Sequence, residues 1–320
     1  MAAGMPLRKF DVSVVGELNL DIILSGLPAQ LQLDREHLAE GLKVTLGSSS
    51  AIFAHNLALL GNSVGFSSAI GSDSFGKNCL ERLGESGVDL SSVRCFSGQQ
   101  TGLTVILPTG AQRYILTYPG TMSEMRFKDL DLDYVCRAKH FHLSSYFLQR
   151  ALRPKMAELF RRAKSAGMTT SLDTNDDPED EWSDELLAVL KYVDVLLPNE
   201  HEACKIAGKQ DVEDALEALS GMVELVVIKR GSRGAVARRG GDCFSAVAKR
   251  GEFVDAVGAG DSFDAGFIHQ FIRGAKIEEC LKFGNIAGAL SVTRAGGTEA
   301  FRDKAHREAF LGEQGRATQG

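Results

Sequence analysis

Apolar and polar positions along the chain predict a repeated alternation of strands and helices. Six short apolar runs bounded by polar turns predict buried strands, at residues 10–16, 63–70, 139–145, 168–173, 193–198 and 224–231. Apolar residues at helical spacing predict helices at residues 49–61, 75–86 and 154–167. Strands separated by helices are typical of βαβ units. The pattern therefore predicts one α/β domain over residues 1–320, with a mostly parallel central sheet and helices on both faces.

The stretch VILPTGAQRYILTYPG, at residues 105–120, breaks this alternation. It predicts an antiparallel hairpin whose turn contains Pro108, Thr109 and Gly110. With two further strand-like stretches, the hairpin could form a small sheet outside the main one. We interpret this small sheet as a β lid. Its segments are those near residues 20–27, 42–47 and 101–118.

Composition narrows the classes of protein. Of 320 residues, 44% are hydrophobic and 24% are charged, and the formal net charge is −6 without a dense Lys/Arg stripe. A nucleic-acid partner held by phosphate contacts is therefore not expected. No secretory signal or membrane-length apolar run is visible. Six scattered cysteines without a C-x-x-C pair fit reduced thiols, so the expected location is cytoplasmic, with no membrane partner.

The clearest candidate chemistry lies in DAVGAGDSFDAGFIHQFIRG, at residues 255–274. Gly258, Ala259 and Gly260 precede a predicted helix, and small residues there leave backbone N–H groups uncovered at the positive end of the helix dipole. Such a turn suits a phosphate or a developing negative charge. Asp261, in the same turn, suits a base that takes a proton from an attacking hydroxyl. Taken alone, a Gly-rich turn with a capping Asp explains these residues equally well.

A second Gly-rich stretch, GSDSFGKN at residues 71–78, is one residue short of the phosphate-binding loop G-x-x-x-x-G-K-[ST]. Asn78 lacks the hydroxyl that such a loop offers to Mg²⁺, and Asp73 would place a negative charge inside the phosphate cradle. We therefore expect the phosphates near residue 258 and not in this loop.

The segment DAVGAGDSFDAGF resembles the C-terminal motif D-T-x-G-A-G-D-x-F-x-A-G of the ribokinase-like carbohydrate kinases, also called the phosphofructokinase-B family. Other family motifs follow in order along residues 11–300, namely GELNLD (16–21), LALLG (57–61), IGSDSFG (70–76), PNEHE (198–202), VIKRGSRG (227–234) and LSVTRAGG (290–297). The resemblance implies the ribokinase-like fold and transfer of a phosphoryl group from ATP, with Mg²⁺, to a hydroxyl group.

The resemblance also implies roles for individual residues. Asp261 matches the catalytic base, and Gly258, Ala259 and Gly260 match the anion hole. Glu202 matches a residue that acts on Mg²⁺ through water. The positions that match the ATP site are Asn199, Lys229, Gly231, Gly234 and Asn285. Those that match a monovalent-cation loop, which would bind K⁺ mainly through backbone carbonyls, are Asp255, Val257, Ser291, Arg294 and Gly296.

The sugar side departs from the family pattern G-G-x-x-x-N. Ser48 replaces the second Gly, and Ile52 replaces the Asn that binds a substrate hydroxyl, with Asn56 one helical turn further as a partial substitute. This departure argues against ribose or fructose and favours a substrate with an apolar edge, a deoxy position or a base. His140 and His142, near Ser144, are expected to be structural. The residues assigned to the substrate site are Asn19, Asp21, Gly47, Ser48, Ile52 and Ser144.

The sequence therefore predicts an ATP-dependent kinase that phosphorylates a hydroxymethyl group of a sugar or sugar-like molecule. A nucleoside kinase is the alternative enzyme, with Phe53 or Tyr114 stacking on a base. A catalytically silent sensor or interaction protein is a further alternative, against which the intact Asp261 turn argues. The lid would exclude water, which otherwise competes as acceptor. A homodimer formed through the lid stays open.

Overall fold

The computed structural model describes residues 8–109, 112–249 and 252–317. Its strands are β1 (Phe10–Val15), β2 (Asn19–Ser25), β3 (Gly41–Leu46), β4 (Val64–Gly71), β5 (Asp89–Phe96), β6 (Gly102–Thr109), β7 (Gln112–Tyr118), β8 (Ala138–Ser144), β9 (Thr169–Asp173), β10 (Val195–Leu196), β11 (Leu225–Lys229), β12 (Ala235–Arg239) and β13 (Asp242–Ala246). Its helices are α1 (Ser49–Leu59), α2 (Ser74–Gly84), α3 (Leu132–Val135), α4 (Met156–Ser165), α5 (Asp184–Leu190), α6 (Glu200–Ala207), α7 (Val212–Ser220), α8 (Ala259–Phe271), α9 (Ile277–Ser291), α10 (Glu299–Arg302) and α11 (Lys304–Ala317).

Nine strands form the main sheet, in the order β13-β12-β11-β10-β9-β8-β1-β4-β5. Neighbours from β11 to β5 are parallel, while β12 and β13 continue the sheet antiparallel at one edge. The central strands β1, β4 and β8 are buried at nearly every position, as is typical of parallel strands covered by helices on both faces. The predicted α/β fold class is confirmed.

Three elements of this sheet differ from the pattern read in the sequence. The strand predicted at 193–198 is only Val195–Leu196 long, because the chain turns at once towards α6. The edge strands β5 and β13, and β12 beside the latter, were not predicted. Most positions of β5 and β13 are only partly buried or exposed, so no apolar run marked them.

Four strands form the second sheet, in the order β3-β2-β6-β7. The predicted hairpin is confirmed, since β6 and β7 pair antiparallel from Leu103↔Tyr118 to Thr109↔Gln112. Its predicted turn residue Gly110 lies outside the described residues. β2 runs parallel to β6 and antiparallel to β3. The three lid segments thus form one small sheet, and its role as a lid stays a prediction.

The two faces of the small sheet differ in character. On the inner face, Ile23 and Ile106 pack together against Val257, which lies just before α8. On the outer face, Leu42, Tyr114 and Leu116 are largely exposed. Because side chains alternate along a strand, polar positions two residues from Ile23 and Ile106 also face inward. The inner face therefore carries its functional groups towards the start of α8.

Helix α8 is held in place by close packing against α9. An ideal Cβ on Gly266 would lie 2.6 Å from Ala287 Cβ and 2.9 Å from the Phe283 carbonyl oxygen. A methyl group does not fit there without a shift of one helix. Asp261 stands in the first turn of α8. The contact therefore holds the helix that carries Asp261 at a fixed distance from α9.

We expect Gly266→Ala to lower the free energy of unfolding by about 1–3 kcal/mol, because the added methyl group overpacks the α8–α9 contact. Gly84→Ala, at the end of α2, is the matched control, since a Cβ there meets Leu90 at an ordinary 3.6 Å. The control should be neutral or more stable by up to about 1 kcal/mol. Chemical denaturation of both variants measures the difference, and equal stability would contradict the tight contact.

Candidate active site

The glycine turn before α8 is a tight, left-handed piece of backbone. Gly258 has φ 71°, and an ideal Cβ on it would lie 2.6 Å from the Gly297 Cα and 3.2 Å from Ile52 side-chain carbons. Only glycine fits such a position without strain. Asp261 follows in the first turn of α8 and is 8% exposed. The turn therefore presents a carboxylate next to uncovered helix-start amides.

The charge state of Asp261 is set by burial and by its neighbours. Burial, followed by the charge of Asp173, raises the pKa of Asp261 to about 7, while Lys229 and a hydrogen bond from the Ser49 side chain oppose this rise. A carboxylate with this pKa exchanges protons near neutral pH. Asp21, on the inner face of the small sheet, lies near enough for the Asp261 charge to raise its pKa further, after burial, to about 7.

Lys229, at the end of β11, lies between two buried carboxylates. Its ammonium donates to Asp173 Oδ2 at 2.6 Å and to Asp264 Oδ2 at 3.0 Å. Burial opposes the charged form of Lys229, but these carboxylates and Glu202 raise its pKa well above the ordinary value. An ideal Cβ on Gly260 would lie 3.5 Å from Nζ. The ammonium thus adjoins the glycine turn and carries a permanent positive charge.

Sequence reasoning missed Asp173 and Asp264. A signal was present for each: Asp173 ends a strand predicted at 168–173, and Asp264 follows Asp261 by three residues, which places both on neighbouring positions of one helix face. The ion pairs themselves form because the fold brings β9, β11 and α8 together. No local pattern in the sequence predicts that these three elements are neighbours.

Asn199 and Glu202 form a capping box at the start of α6. The Glu202 N–H donates to Asn199 Oδ1 at 3.0 Å, and Glu202 accepts from the Asn199 N–H at 2.8 Å and side-chain amide at 2.5 Å. Burial, followed by the charge of Asp173, raises the pKa of Glu202 to about 8. A carboxylate already bonded through both oxygens suits contact with a metal's water shell better than direct ligation.

Asp21 is fixed on the acceptor side by its neighbours in the small sheet. The Asn19 side-chain amide donates to Asp21 Oδ1 at 3.3 Å and to Thr104 Oγ1 at 3.1 Å. An ideal Cβ on Gly47 would overlap the Asp21 carboxylate, so only glycine leaves it room. The carboxylate can accept hydrogen bonds from two adjacent hydroxyl groups. The predicted substrate residues Asn19, Asp21 and Gly47 therefore form one cluster facing the Asp261 turn.

Ser48 has a positive φ of 71° with ψ 122°, a backbone conformation that the family's glycine would suit better. Such a sparsely populated conformation costs a non-glycine residue about 1–3 kcal/mol. Two hydrogen bonds offset the cost, because the Ser48 hydroxyl donates to the Glu17 carbonyl at 2.5 Å and accepts from the Ala51 N–H at 3.1 Å. The hydroxyl of Ser48 is thus engaged within the protein.

Several predicted substrate contacts are not supported by the structure. Ile52 is 2% exposed and packs beneath Gly258 and Gly297, so it supports the glycine turn and leaves almost no surface for a substrate. Asn56 does not replace the missing amide, because its Nδ2 donates to Ser262 Oγ at 2.9 Å and to the Gly297 carbonyl at 3.0 Å. Ser144 is buried, with its hydroxyl bonded to His142 Nε2 at 2.8 Å.

The two aromatic side chains proposed for stacking on a base are also placed elsewhere. Phe53 is completely buried and stacks on His142 with ring centroids 3.7 Å apart. Tyr114 is paired with Leu107 on the outer face of the small sheet, since the neighbouring position Ile106 faces inward. His140 and His142 share the Ser171 hydroxyl at 2.7 Å each, which agrees with the structural role expected of them.

The predicted monovalent-cation loop surrounds the glycine turn. The Asp255 carboxylate accepts from the N–H groups of Val257 at 3.1 Å and Gly296 at 2.9 Å. The Ser291 hydroxyl is buried and has no hydrogen-bond partner among the described residues, as a free oxygen ligand requires. The Arg294 side chain points away to Asp303 at 3.3 Å, so only its backbone carbonyl could serve.

The predicted ATP-side residues lie around β11 and β12. Gly231 and Gly234 both have positive φ, at 55° and 89°, and flank the short turn between these strands. Asn285, on α9, donates to the Ala246 and Val247 carbonyls at 3.0 and 3.1 Å. Its amide therefore ties α9 to the chain after β13, and contact with an adenine stays a prediction.

The loop at residues 71–78 has a structural role. Asp73 accepts from the Gly76 N–H at 2.8 Å, which caps α2, and from the Thr101 N–H and hydroxyl at 2.8 and 2.7 Å. Its carboxylate therefore ties the start of α2 to the segment before β6. This arrangement agrees with the expectation that phosphates bind elsewhere.

The described residues contain no group of three or more His, Cys, Asp or Glu side chains arranged to hold a metal ion. None of the helices within the described ranges has the length and apolar character to cross a bilayer.

Comparison with known proteins places this arrangement in a family. The model of the pfkB family carbohydrate kinases matches residues 9–304. The chain belongs to this family. It is therefore a sugar or nucleoside kinase, and the predicted resemblance and enzyme class are confirmed.

Two characterised relatives cover most of the chain. A cytidine kinase of Thermococcus kodakarensis is 31% identical over 272 residues, which cover 83% of this chain and 93% of that protein. A ribokinase of Haemophilus influenzae is 27% identical, with 95% and 99% covered. One relative acts on a nucleoside and the other carries the name of a sugar kinase, so both substrate classes occur among proteins similar to this chain.

Solved structures share the fold. Arabidopsis thaliana ribokinase complexed with ribose and ATP has a TM-score of 0.79 at 26% identity, with 94% of this chain and 98% of that chain covered. An Escherichia coli protein described as a ribokinase II, in complex with ATP and Mg²⁺, has a TM-score of 0.84 at 25% identity, with 95% and 99% covered. The ribokinase-like fold of this family member is thereby confirmed.

The raised carboxyl pKa values make stability depend on pH. Asp21 and Asp261 have ordinary values of 3.8, and Glu202 of 4.5, against about 7, 7 and 8 in the fold. The folded state therefore binds more protons than the unfolded state between these values. Their contribution to stability is complete below the ordinary values and is lost as the pH rises through the folded-state values.

We expect the free energy of unfolding of the ligand-free protein to fall by about 1–3 kcal/mol from pH 6.5 to 8. The window starts at 6.5 because neutral buried histidines, whose pKa values burial lowers, act in the opposite direction below it. Glu202→Gln should flatten the slope, whereas Glu200→Gln on the same helix should not. Urea denaturation at four pH values measures the free energy of unfolding. A free energy of unfolding that rises with pH would contradict this expectation.

Proposed function

We propose that this pfkB kinase transfers the γ-phosphoryl group of ATP to a hydroxymethyl group of a sugar or nucleoside, with Asp261 as the base. The observation that carries the proposal is the position of Asp261 in the first turn of α8, next to Gly260, whose ideal Cβ would lie 3.5 Å from Lys229 Nζ. Asp261 is also near enough to Asp21 for its charge to add to burial in raising the pKa of that residue. A carboxylate with a pKa near 7 takes a proton from a hydroxyl more readily than an ordinary, weaker base does.

On the acceptor side, the Asp21 carboxylate accepts hydrogen bonds from hydroxyl groups of the substrate. Asn19 donates to this carboxylate, and Gly47 leaves it room. The mutual repulsion of Asp21 and Asp261 is relieved when a substrate hydroxyl donates to one of them. The reacting hydroxyl then gives its proton to Asp261 as its oxygen forms a bond to phosphorus and the bond to ADP breaks. The proton remains on Asp261 until the phosphorylated product leaves.

On the phosphate side, the anion hole comprises the start of α8 and the Lys229 ammonium. The Ala259 N–H already donates to the Ala256 carbonyl at 3.3 Å, so the N–H groups of Gly260 and Asp261 are the donors we assign to the transferred phosphoryl group. Preorganised donors of this kind stabilise charge that develops during transfer. Mg²⁺, when bound, neutralises phosphate charge, and Glu202 contacts its water shell.

Around this site we propose three further features. The backbone carbonyls near Asp255, Val257 and Gly296, with the free Ser291 hydroxyl, bind K⁺ beside the anion hole. The small sheet acts as the lid, because its inner face carries Asp21 and packs on Val257. The six free cysteines fit a reducing cytoplasmic location.

We also propose that the lid's outer face pairs two copies of the chain. Leu42 on β3 and Tyr114, Leu116 and Tyr118 on β7, the two edge strands of the small sheet, have exposed fractions between 52% and 68%. Exposed apolar edge strands favour association through the sheet. Analytical ultracentrifugation of Leu116→Lys against wild type tests this, and an unchanged monomeric mass for both would overturn it.

The choice between a sugar and a nucleoside rests on experiment. The 31% identity to a cytidine kinase favours a nucleoside, while the 27% identity to a ribokinase favours a sugar. ADP release over a panel of sugars, sugar phosphates and nucleosides separates the two. A protein that releases no ADP with any acceptor, yet binds ATP, would favour the sensor alternative.

We expect Asp261→Asn to keep the fold and ATP binding but to lose turnover by about 10²–10⁴-fold, the usual contribution of general-base catalysis. The amide keeps the shape of the side chain and cannot accept the proton. Turnover is measured with the acceptor found in the panel, and ATP affinity by calorimetry serves as the control. Activity within a few-fold of wild type would remove Asp261 from the role of base.

We expect Glu202→Gln to raise the Mg²⁺ concentration needed for half-maximal activity, because the lost carboxylate acts on the metal's water shell. Glu200→Gln is the matched control, since Glu200 lies on the same helix but pairs with Arg230 at 2.9 Å. Magnesium titrations of the three proteins give the answer. Overlapping curves for wild type and Glu202→Gln would show that Glu202 is not at the metal.

A further inference from the structure

One carboxylate, that of Glu299 in the first turn of α10, joins the small sheet to the main body. The Thr45 hydroxyl on β3 donates to Glu299 Oε1 at 3.0 Å. On the same strand, the Lys43 ammonium donates to the Ala295 carbonyl at 2.5 Å and lies 3.9 Å from Glu299 Oε2. Both side chains therefore attach β3 to the segment at residues 295–299.

Two further cations hold the Glu299 carboxylate. Arg302 Nη1, on the same helix, donates to both carboxylate oxygens at 3.3 Å, and Arg82 Nη1, on α2, donates to Oε1 at 3.5 Å. With Lys43, three positive charges surround this carboxylate, whose side chain is only 19% exposed. An acceptor held from three sides gives a fixed position to the hydroxyl that donates to it.

Thr45 is completely buried and makes a second contact besides its hydrogen bond. An ideal Cβ on Gly296 would lie 2.9 Å from the Thr45 methyl carbon, so the threonine packs directly on the backbone of this glycine. The Gly296 N–H in turn donates to the Asp255 carboxylate at 2.9 Å. The inner face of β3 therefore rests on the segment that lies beside the glycine turn.

Thr45 is also the cross-strand partner of Asp21. Strands β2 and β3 are antiparallel and pair Asp21 with Thr45, and directly paired residues project from the same face of a sheet. The Asp21 carboxylate lies against β3 two residues further on, where an ideal Cβ on Gly47 would be 2.0 Å from Oδ1. The position of β3 therefore determines where this carboxylate lies.

We propose that Thr45 and Glu299 are positioning residues for the acceptor site, because their hydrogen bond holds β3, and with it Asp21, at a fixed place on the main body. The inference rests on the proposed function, in which Asp21 accepts hydrogen bonds from substrate hydroxyl groups. Neither residue takes part in the transfer step. Loss of their contact should therefore weaken binding of the acceptor and leave the rate of transfer unchanged.

The test removes the Thr45 hydroxyl with Thr45→Val, which keeps the shape of the side chain. Amide hydrogen exchange of β3 in the ligand-free protein should become faster by about three- to tenfold, as expected from the loss of one hydrogen bond. For the acceptor found in the substrate panel, KM should rise by a similar factor, while kcat and the KM for ATP stay within about twofold of wild type. Thr45→Ser keeps the hydroxyl and should restore most of the wild-type behaviour.

Thr298→Val is the matched control. Thr298 immediately precedes Glu299 and is completely buried, and its hydroxyl has no hydrogen-bond partner among the described residues. The substitution makes the same chemical change and should leave both measurements at their wild-type values. A double-mutant cycle tests whether the two positioning residues act together, since Thr45→Val should have no further effect in a Glu299→Ala background.

Unchanged exchange of β3 in Thr45→Val would overturn the inference, and so would faster exchange with an unchanged KM for the acceptor. Full additivity of Thr45→Val and Glu299→Ala would do the same. Failure of the proposed function gives a different result. If Asp21→Asn leaves the acceptor KM unchanged, the assignment of Asp21 to the substrate is wrong. If Asp21→Asn weakens acceptor binding while Thr45→Val does not, only the role of Thr45 and Glu299 is wrong.

Discussion

The buried ion pairs of Lys229 are the interaction on which the rest of the site depends. One ammonium holds the ends of β9 and β11 against α8 through Asp173 and Asp264. Removing one partner of such a buried group typically costs about 3–5 kcal/mol. The carboxylates of Asp261 and Glu202 lie within reach of the same charge. Because the acidic groups outnumber this one cation, the ligand-free site carries an excess of negative charge.

This excess of negative charge extends over both the acceptor side and the phosphate side of the proposed site. Beyond the effect of burial, the charge of Asp261 on α8 raises the pKa of Asp21 on the small sheet, and the charge of Asp173 raises the pKa of Asp261. In the proposed reaction, an acceptor hydroxyl would donate to one of these carboxylates and relieve part of the repulsion between them. The same excess of negative charge weakens the ligand-free protein as the pH rises.

The sequence predicted the fold, and the placement of the glycine turn at the start of a helix, because both depend on local patterns. Periodicity marked most strands, and Gly258 to Asp261 stand in one contiguous motif. Contacts between distant segments could not be predicted this way. Asp173 and Glu17 act through partners more than 30 residues away, and Ile52 packs against Gly258 and Gly297 beneath the glycine turn. A match to a position in a family motif does not show in which direction the side chain points.

The apolar contact between the small sheet and the main body has a thermal consequence. Ile23 and Ile106 rest on Val257, so lifting the sheet would bring these side chains into water. Exposure of apolar surface raises the heat capacity, and near room temperature its cost is mostly entropic. The contact between the small sheet and the main body therefore weakens on cooling, so that the attachment of this sheet depends on temperature.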